Sequence, residues 1–136
     1  MKAIVLGCGL VGGLIAKDLA KDEDFQVTVA DINEKKLDEL TKETDIRGIK
    51  ADLSSSEAIR NIVVDQDIVI GAVPGFLGFN MLRSVIEAGK NVVDISFMAE
   101  DTLSLDELAK KKGVTAVVDM GVAPGMSHMI VGYVIV

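Results

Sequence analysis

The chain has 136 residues, a formal net charge of −7 at pH 7, and 49% hydrophobic residues with only 4% aromatic. One domain of that length buries a core without disulfides. The acidic balance argues against nucleic acid as a partner, because neutralising phosphates takes clustered Lys and Arg.

A composition rich in Val, Ile, Leu, Ala and Gly and lacking Trp suits a parallel sheet buried on both faces. Short β-branched runs at Ala3–Leu6, Gln26–Ala30, Gly48–Ala51, Asp67–Ala72, Asn91–Ile95 and Val114–Val118 read as six strands. Between them lie helical stripes: Val11, Leu14, Ile15 and Leu19; then Leu37 and Leu40; then Ala58, Ile59, Ile62 and Val63. Leu82, Val85 and Ile86 make a fourth stripe, and Leu105, Leu108 and Ala109 a fifth. Asn33 reads as an N-cap, and Ser54-x-x-Glu57 and Ser104-x-x-Glu107 as capping boxes. Gly89 and Gly113 stand where helices end, and Lys110 to Lys112 fall in a last helical turn, where cations complement the dipole. Strands alternating with helices predict an α/β fold: a doubly wound, mostly parallel six-stranded Rossmann sheet.

Cys8 is the lone cysteine, so no internal disulfide is available, and its reading is a small buried apolar residue in a reducing cytoplasm. No apolar run reaches the roughly 18 residues of a membrane span, and the start of the chain shows no cleavage signal. A cytoplasmic protein without membrane contact is the expectation. The apolar segment MIVGYVIV at the other end is expected either to dock on the domain or to continue into something longer.

The first helix is entered through Gly7-Cys8-Gly9-Leu10-Val11-Gly12, a GxGxxG string between a strand and a helix. The spacing serves a tight turn, close backbone approach to a pyrophosphate, and close helix packing. Leu10, Val11 and Gly12 would offer their free N–H groups to the phosphates at the helix start. Asp31 ends the second strand 22 residues beyond Gly9, where a carboxylate accepts the adenosine ribose hydroxyls and repels a 2′-phosphate. Ile32, Asn33 and Glu34 follow it and no arginine does, so NAD is expected over NADP. A helix-capping Asp31 is the competing reading. Asp52 and Leu53 end the third strand within reach of the adenine edge, although Asp52 would serve equally near a helix cap. Ala72, Val73 and Pro74 after the fourth strand form the second wall of the cleft, or an ordinary Pro-Gly turn. Asp94 and Asp119 end the fifth and sixth strands, where each can hold an ammonium, take its proton, or cap the next element. His128, the lone histidine, opens the final helical pattern as a further catalytic candidate or a structural residue. One His and one Cys offer no recognisable metal spacing.

With these residues in place, GCGLVGG, AVPGF, VVDISFMAED and above all VVDMGVAPGMSHMIVGY resemble the saccharopine dehydrogenase-like family, in particular its lysine dehydrogenase branch. The resemblance spans essentially the whole chain. It implies a Rossmann domain, here residues 1–121, with 122–136 leading toward a second substrate domain that is absent. It further implies oxidation of an amino-acid amine carbon by hydride transfer to NAD, with lysine as substrate and a homodimer in the full-length parent. Val73 and Pro74 would then lie near the nicotinamide, and Asp94, Asp119 and the Ala123–Gly125 turn would face the active cleft. The alternative is a stand-alone nucleotide-sensing Rossmann module without catalysis. Arg47, Arg60 and Arg83 are the only arginines and none ends a strand, which favours a less acidic substrate than saccharopine.

Overall fold

A computed structural model describes residues 1–135. Its elements in chain order are β1 (Lys2–Leu6), α1 (Leu10–Leu19), β2 (Gln26–Asp31), α2 (Glu34–Glu43), β3 (Arg47–Lys50) and α3 (Ser56–Val63). Then come β4 (Ile68–Gly71), α4 (Gly75–Glu87), β5 (Asn91–Asp94), a 3₁₀ turn (Thr102–Leu105) running into α5 (Asp106–Lys112), β6 (Ala116–Val117) and α6 (Met126–Ile135).

The sheet order is β3-β2-β1-β4-β5-β6, and every described pairing is parallel. The chain therefore leaves β1 in one direction and returns at β4 to build the other half. This is the doubly wound Rossmann arrangement, with its switch point between β1 and β4. β1 lies at the centre, with Ala3, Ile4, Val5 and Leu6 wholly buried. Its side chains alternate between two cores. Ala3 and Val5 join Ala16, Leu37 and Leu40 of α1 and α2, while Ile4 and Leu6 join Ile59, Met81, Leu82 and Val85 of α3 and α4. Covering both faces explains why β1 is apolar from Ala3 to Leu6 without alternation. Each of the Val, Ile, Leu and Met side chains in these two cores contributes roughly 1.5–3 kcal/mol when fully buried.

The helix ends correct the sequence expectation in two places. Asn33 caps α2 as expected, accepting the Lys36 N–H at 3.2 Å, and Gly113 closes α5 in the left-handed region at φ +65°. The cap of α3, however, is Ser55, whose Oγ accepts the Ala58 N–H at 3.2 Å. Ser54 is drawn away because its N–H and hydroxyl both donate to Asp52 Oδ1, at 2.9 and 2.7 Å. Ser104 likewise caps nothing: Asp101 takes the Leu103 N–H at 3.0 Å and starts the 3₁₀ turn one residue after itself. In both places a nearby carboxylate takes a short-range turn bond and the serine expected as cap is left out: Ser55 caps α3 and Asp101 caps the 3₁₀ turn.

β6 is shorter than the predicted run because it is an edge strand held only by β5. α6 does not dock. It has no buried residue, and Met129, Ile130, Val131, Tyr133, Val134 and Ile135 are all exposed. No described helix is long and apolar enough to cross a membrane.

Candidate functional site

Because the strands are parallel, their carboxyl ends share one edge, and most of the predicted site residues lie there. The β1–α1 turn is shaped by two close approaches. Gly7 has φ +112°, and a Cβ there would collide with the Ala72 carbonyl oxygen. A Cβ on Gly12 would collide with the Gly7 carbonyl oxygen, so only glycine lets α1 sit this close to β1. Gly9 differs: a Cβ there would meet no atom within 4 Å, which leaves its backbone open to a ligand. The first intrahelical bond of α1 is Gly13 N–H to Gly9 C=O, so the N–H groups of Leu10, Val11 and Gly12 lack helical partners. No side chain caps the helix and no acidic residue sits in its first turn. Leu10 and Val11 are exposed beside this opening. Free donors, an open Gly9 and no competing carboxylate suit a pyrophosphate.

Asp31 ties the next strand to this loop. Its Oδ2 accepts the Cys8 N–H at 2.7 Å and its Oδ1 the Asn33 N–H at 2.8 Å. Each oxygen keeps a further lone pair for a ligand hydroxyl. The carboxylate thus performs the local turn role weighed for it and also stands at the rim of the glycine loop, with Ile32 exposed beyond it. Cys8 itself is buried, and burial, reinforced by the Asp31 charge and opposed by Lys36, pushes its thiol above the ordinary value. That makes it an unreactive packing residue.

At the third strand end Asp52 is exposed, and its hydrogen bonds from Ser54 hold it below the usual carboxylate range. Leu53 points the other way, into the core against α3 and α4, so its side chain is not presented to the cleft. Across the switch point, Ala72 N–H continues the ladder to Leu6 C=O at 2.9 Å, and the Ala72 carbonyl lies against Gly7. Val73 is buried and Pro74 exposed, so the wall shows its ring and backbone rather than the valine side chain.

The predicted catalytic residues separate. Asp119 is exposed, in the left-handed region at φ +57°, two residues past β6. His128 is exposed in the first turn of α6, and its Nδ1 accepts the Gly125 N–H at 3.2 Å. That contact assigns the proton to Nε2, so the outward nitrogen is a donor rather than a base. Asp94, expected to meet an amine directly, has no exposed surface at all. Its Oδ2 accepts the Ser96 N–H at 3.1 Å and its Oδ1 lies 2.9 Å from Ser96 Oγ. In this placement it is closed to substrate. Ser96 is the residue of this edge that sequence reasoning missed. Its signal was present: Asp31-x-Asn33, Asp52-x-Ser54 and Asp94-x-Ser96 all place an N–H donor two residues after an aspartate at or just past a strand end. Among the described residues no group of His, Cys, Asp and Glu is placed to hold a metal ion.

Residues 3–117 match the model of the saccharopine dehydrogenase NADP binding domain. The chain belongs to that family. Among its relatives, saccharopine dehydrogenase [NADP(+), L-glutamate-forming] of Saccharomyces cerevisiae is 28% identical over 126 residues, 93% of this chain and 28% of the yeast protein. The mitochondrial alpha-aminoadipic semialdehyde synthase of Mus musculus is 27% identical over 130 residues, 95% of this chain and 14% of the mouse protein. The structure of apo saccharopine dehydrogenase (L-Glu forming) from S. cerevisiae superposes with a TM-score of 0.87 at 27% identity, covering 96% of this chain and 29% of the yeast chain. This chain therefore spans less than a third of each of these relatives.

Proposed function

We propose that this domain binds NAD for an oxidoreductase that oxidises the amine-bearing carbon of an amino acid, with lysine as the substrate. The observation that carries the cofactor reading is the Asp31 carboxylate, hydrogen-bonded to the N–H of Cys8 inside the glycine loop. A carboxylate so placed accepts ribose hydroxyls and repels a 2′-phosphate. Family and yeast relative both carry NADP in their names; the three residues directly after Asp31, Ile32, Asn33 and Glu34, carry no positive charge. When bound, the nicotinamide supplies the hydride acceptor. The chain's own part is to hold the pyrophosphate on the Leu10, Val11 and Gly12 N–H groups and to keep the dinucleotide against Pro74. Asp119, exposed at the same edge, is the carboxylate available to hold the substrate ammonium or take its proton. Arg60 and Arg83 are paired with Glu87, and Arg47 begins β3 at the opposite edge, which supports a substrate with few carboxylates.

Calorimetric titration with NADH and NADPH tests the reading. NADH is expected to bind more tightly, and Asp31→Ala to weaken it about tenfold to a hundredfold, the worth of hydrogen bonds to a charged group. Tighter NADPH binding by the unaltered chain overturns the NAD assignment, and silence toward both overturns the cofactor site. A second reading, a nucleotide-sensing module, is favoured by the closure of Asp94. Unchanged turnover in Asp119→Asn of the full-length protein containing this domain would support it.

A further inference from the structure

Ser96 Oγ stands between two acceptors, 3.0 Å from the Val73 carbonyl oxygen and 2.9 Å from Asp94 Oδ1. A hydroxyl has one proton to give. If Asp94 is ionised, one of the two acceptors goes without it; if Asp94 is protonated at Oδ1, the acid donates to Ser96 and Ser96 donates to Val73. Only the protonated form satisfies both acceptors facing Ser96 Oγ, and an acceptor left unpaired in a closed site is costly. The surroundings agree. β4 presents Gly71, where a Cβ would collide with Asp94 Oδ1, and α4 presents the Met81 methyl at the same spot. Neither carries charge. The segment after β6 presents Asp119, whose negative charge also opposes ionisation. Desolvation leads, and with Asp119 it outweighs the Ser96 hydrogen bonds to push Asp94 up to about 6.

We propose that Asp94 is a positioning residue of the cofactor cleft, whose protonated form completes a relay through Ser96 to the Val73 carbonyl and holds the Val73–Pro74 wall in place. The inference rests on the reading of that cleft as a dinucleotide site. The wall is gripped from two sides: the Ala72 carbonyl lies against Gly7, and the Val73 carbonyl is held from the β5 side by Ser96. Further along, Gly75 and Gly78 of α4 pack against Phe97, Ser96 and Met98 of the same segment, so the relay joins two surfaces already in contact. Loss of the proton lets the Ser96 hydroxyl turn to the carboxylate and releases the Val73 carbonyl.

The test is calorimetric NADH binding by the full chain between about pH 5.5 and about pH 8.5, beside carbon-13 NMR of the aspartate carboxyls. The unaltered chain is expected to bind about threefold to tenfold more tightly at the acid end, the range of one hydrogen bond. Asp94→Asn donates its amide N–H to Ser96 Oγ and accepts the Ser96 N–H at every pH, so it should keep the tighter value throughout. One aspartate carboxyl should titrate near 6, vanish in Asp94→Asn, and share its midpoint with the Val73 methyl signals. An equal pH slope in Asp94→Asn overturns the relay, as does an Asp94 carboxyl that titrates below about 4.5. If Asp94→Asn fails to fold, the titration of the unaltered chain decides by itself. If NADH and NADPH bind at no pH, the dinucleotide reading fails, and the Asp94 and Val73 signals still decide the relay.

Discussion

Asp31 at the end of β2 and Asp94 at the end of β5 make the same local turn, each accepting the N–H two residues ahead. Their surroundings then divide them. Asp31 keeps part of its surface open and spends its second oxygen on the glycine loop of a neighbouring strand. Asp94 is sealed between β4, α4 and its own loop, with Ser96 covering both oxygens. The end of β2 thus leaves acceptors for a ligand, while the end of β5 satisfies its own. The same motif is a candidate binding group in the first half and an internal brace in the second, and burial decides which.

Three perturbations would break or sharpen that contrast. The largest effect is expected from Gly12→Val on the open side. Its Cβ has no room against the Gly7 carbonyl, and the branch adds to the clash, so α1 must leave β1. A loss of about 3 kcal/mol or more in urea unfolding is expected; a loss below about 1 kcal/mol would mean that the loop relaxes freely. Next comes pH on the sealed side. The folded chain holds the Asp94 proton more tightly than the unfolded chain does, at about 6 against 3.8. This group's contribution to stability is therefore complete below about pH 4 and is lost as pH rises through about 6. The shift corresponds to roughly 3 kcal/mol at most. Asp94→Asn should lack that decline, giving a denaturation midpoint that overtakes the unaltered chain above about pH 6; parallel pH profiles would count against the burial argument. The smallest effect is at the helix cap next to the Asp31 turn. Asn33→Ala removes the bond to the Lys36 N–H and should cost about 1 kcal/mol with no change in its pH dependence.

Much of the fold was legible because its signals are local. The six apolar runs, the stripes between them, Asn33 and Gly113 all act within a turn or two of chain, and they appear where the pattern places them. The displaced caps at Ser54 and Ser104 show the limit of such reading. Asp101 caps the 3₁₀ turn in place of Ser104, and Asp52 binds the Ser54 N–H and hydroxyl, which leaves Ser55 to cap α3. On the site side, the glycine loop and its distance to Asp31 were visible because they repeat a spacing that a parallel β-α-β unit imposes. The closure of Asp94 was not, since Gly71 and Met81 reach it from separate elements.

By itself the sequence determined the alternation of elements, hence a doubly wound sheet whose strand ends share one edge, and the glycine spacing that leaves backbone donors free there. Hydrophobic period, turn chemistry and glycine geometry are properties of neighbouring residues, so they can be read along the chain. Only the tertiary structure decided which strand-end carboxylate faces water. A carboxyl group's accessibility and proton affinity depend on what packs over it from elsewhere in the chain, and for Asp94 that cover comes from Gly71, Met81 and Ser96.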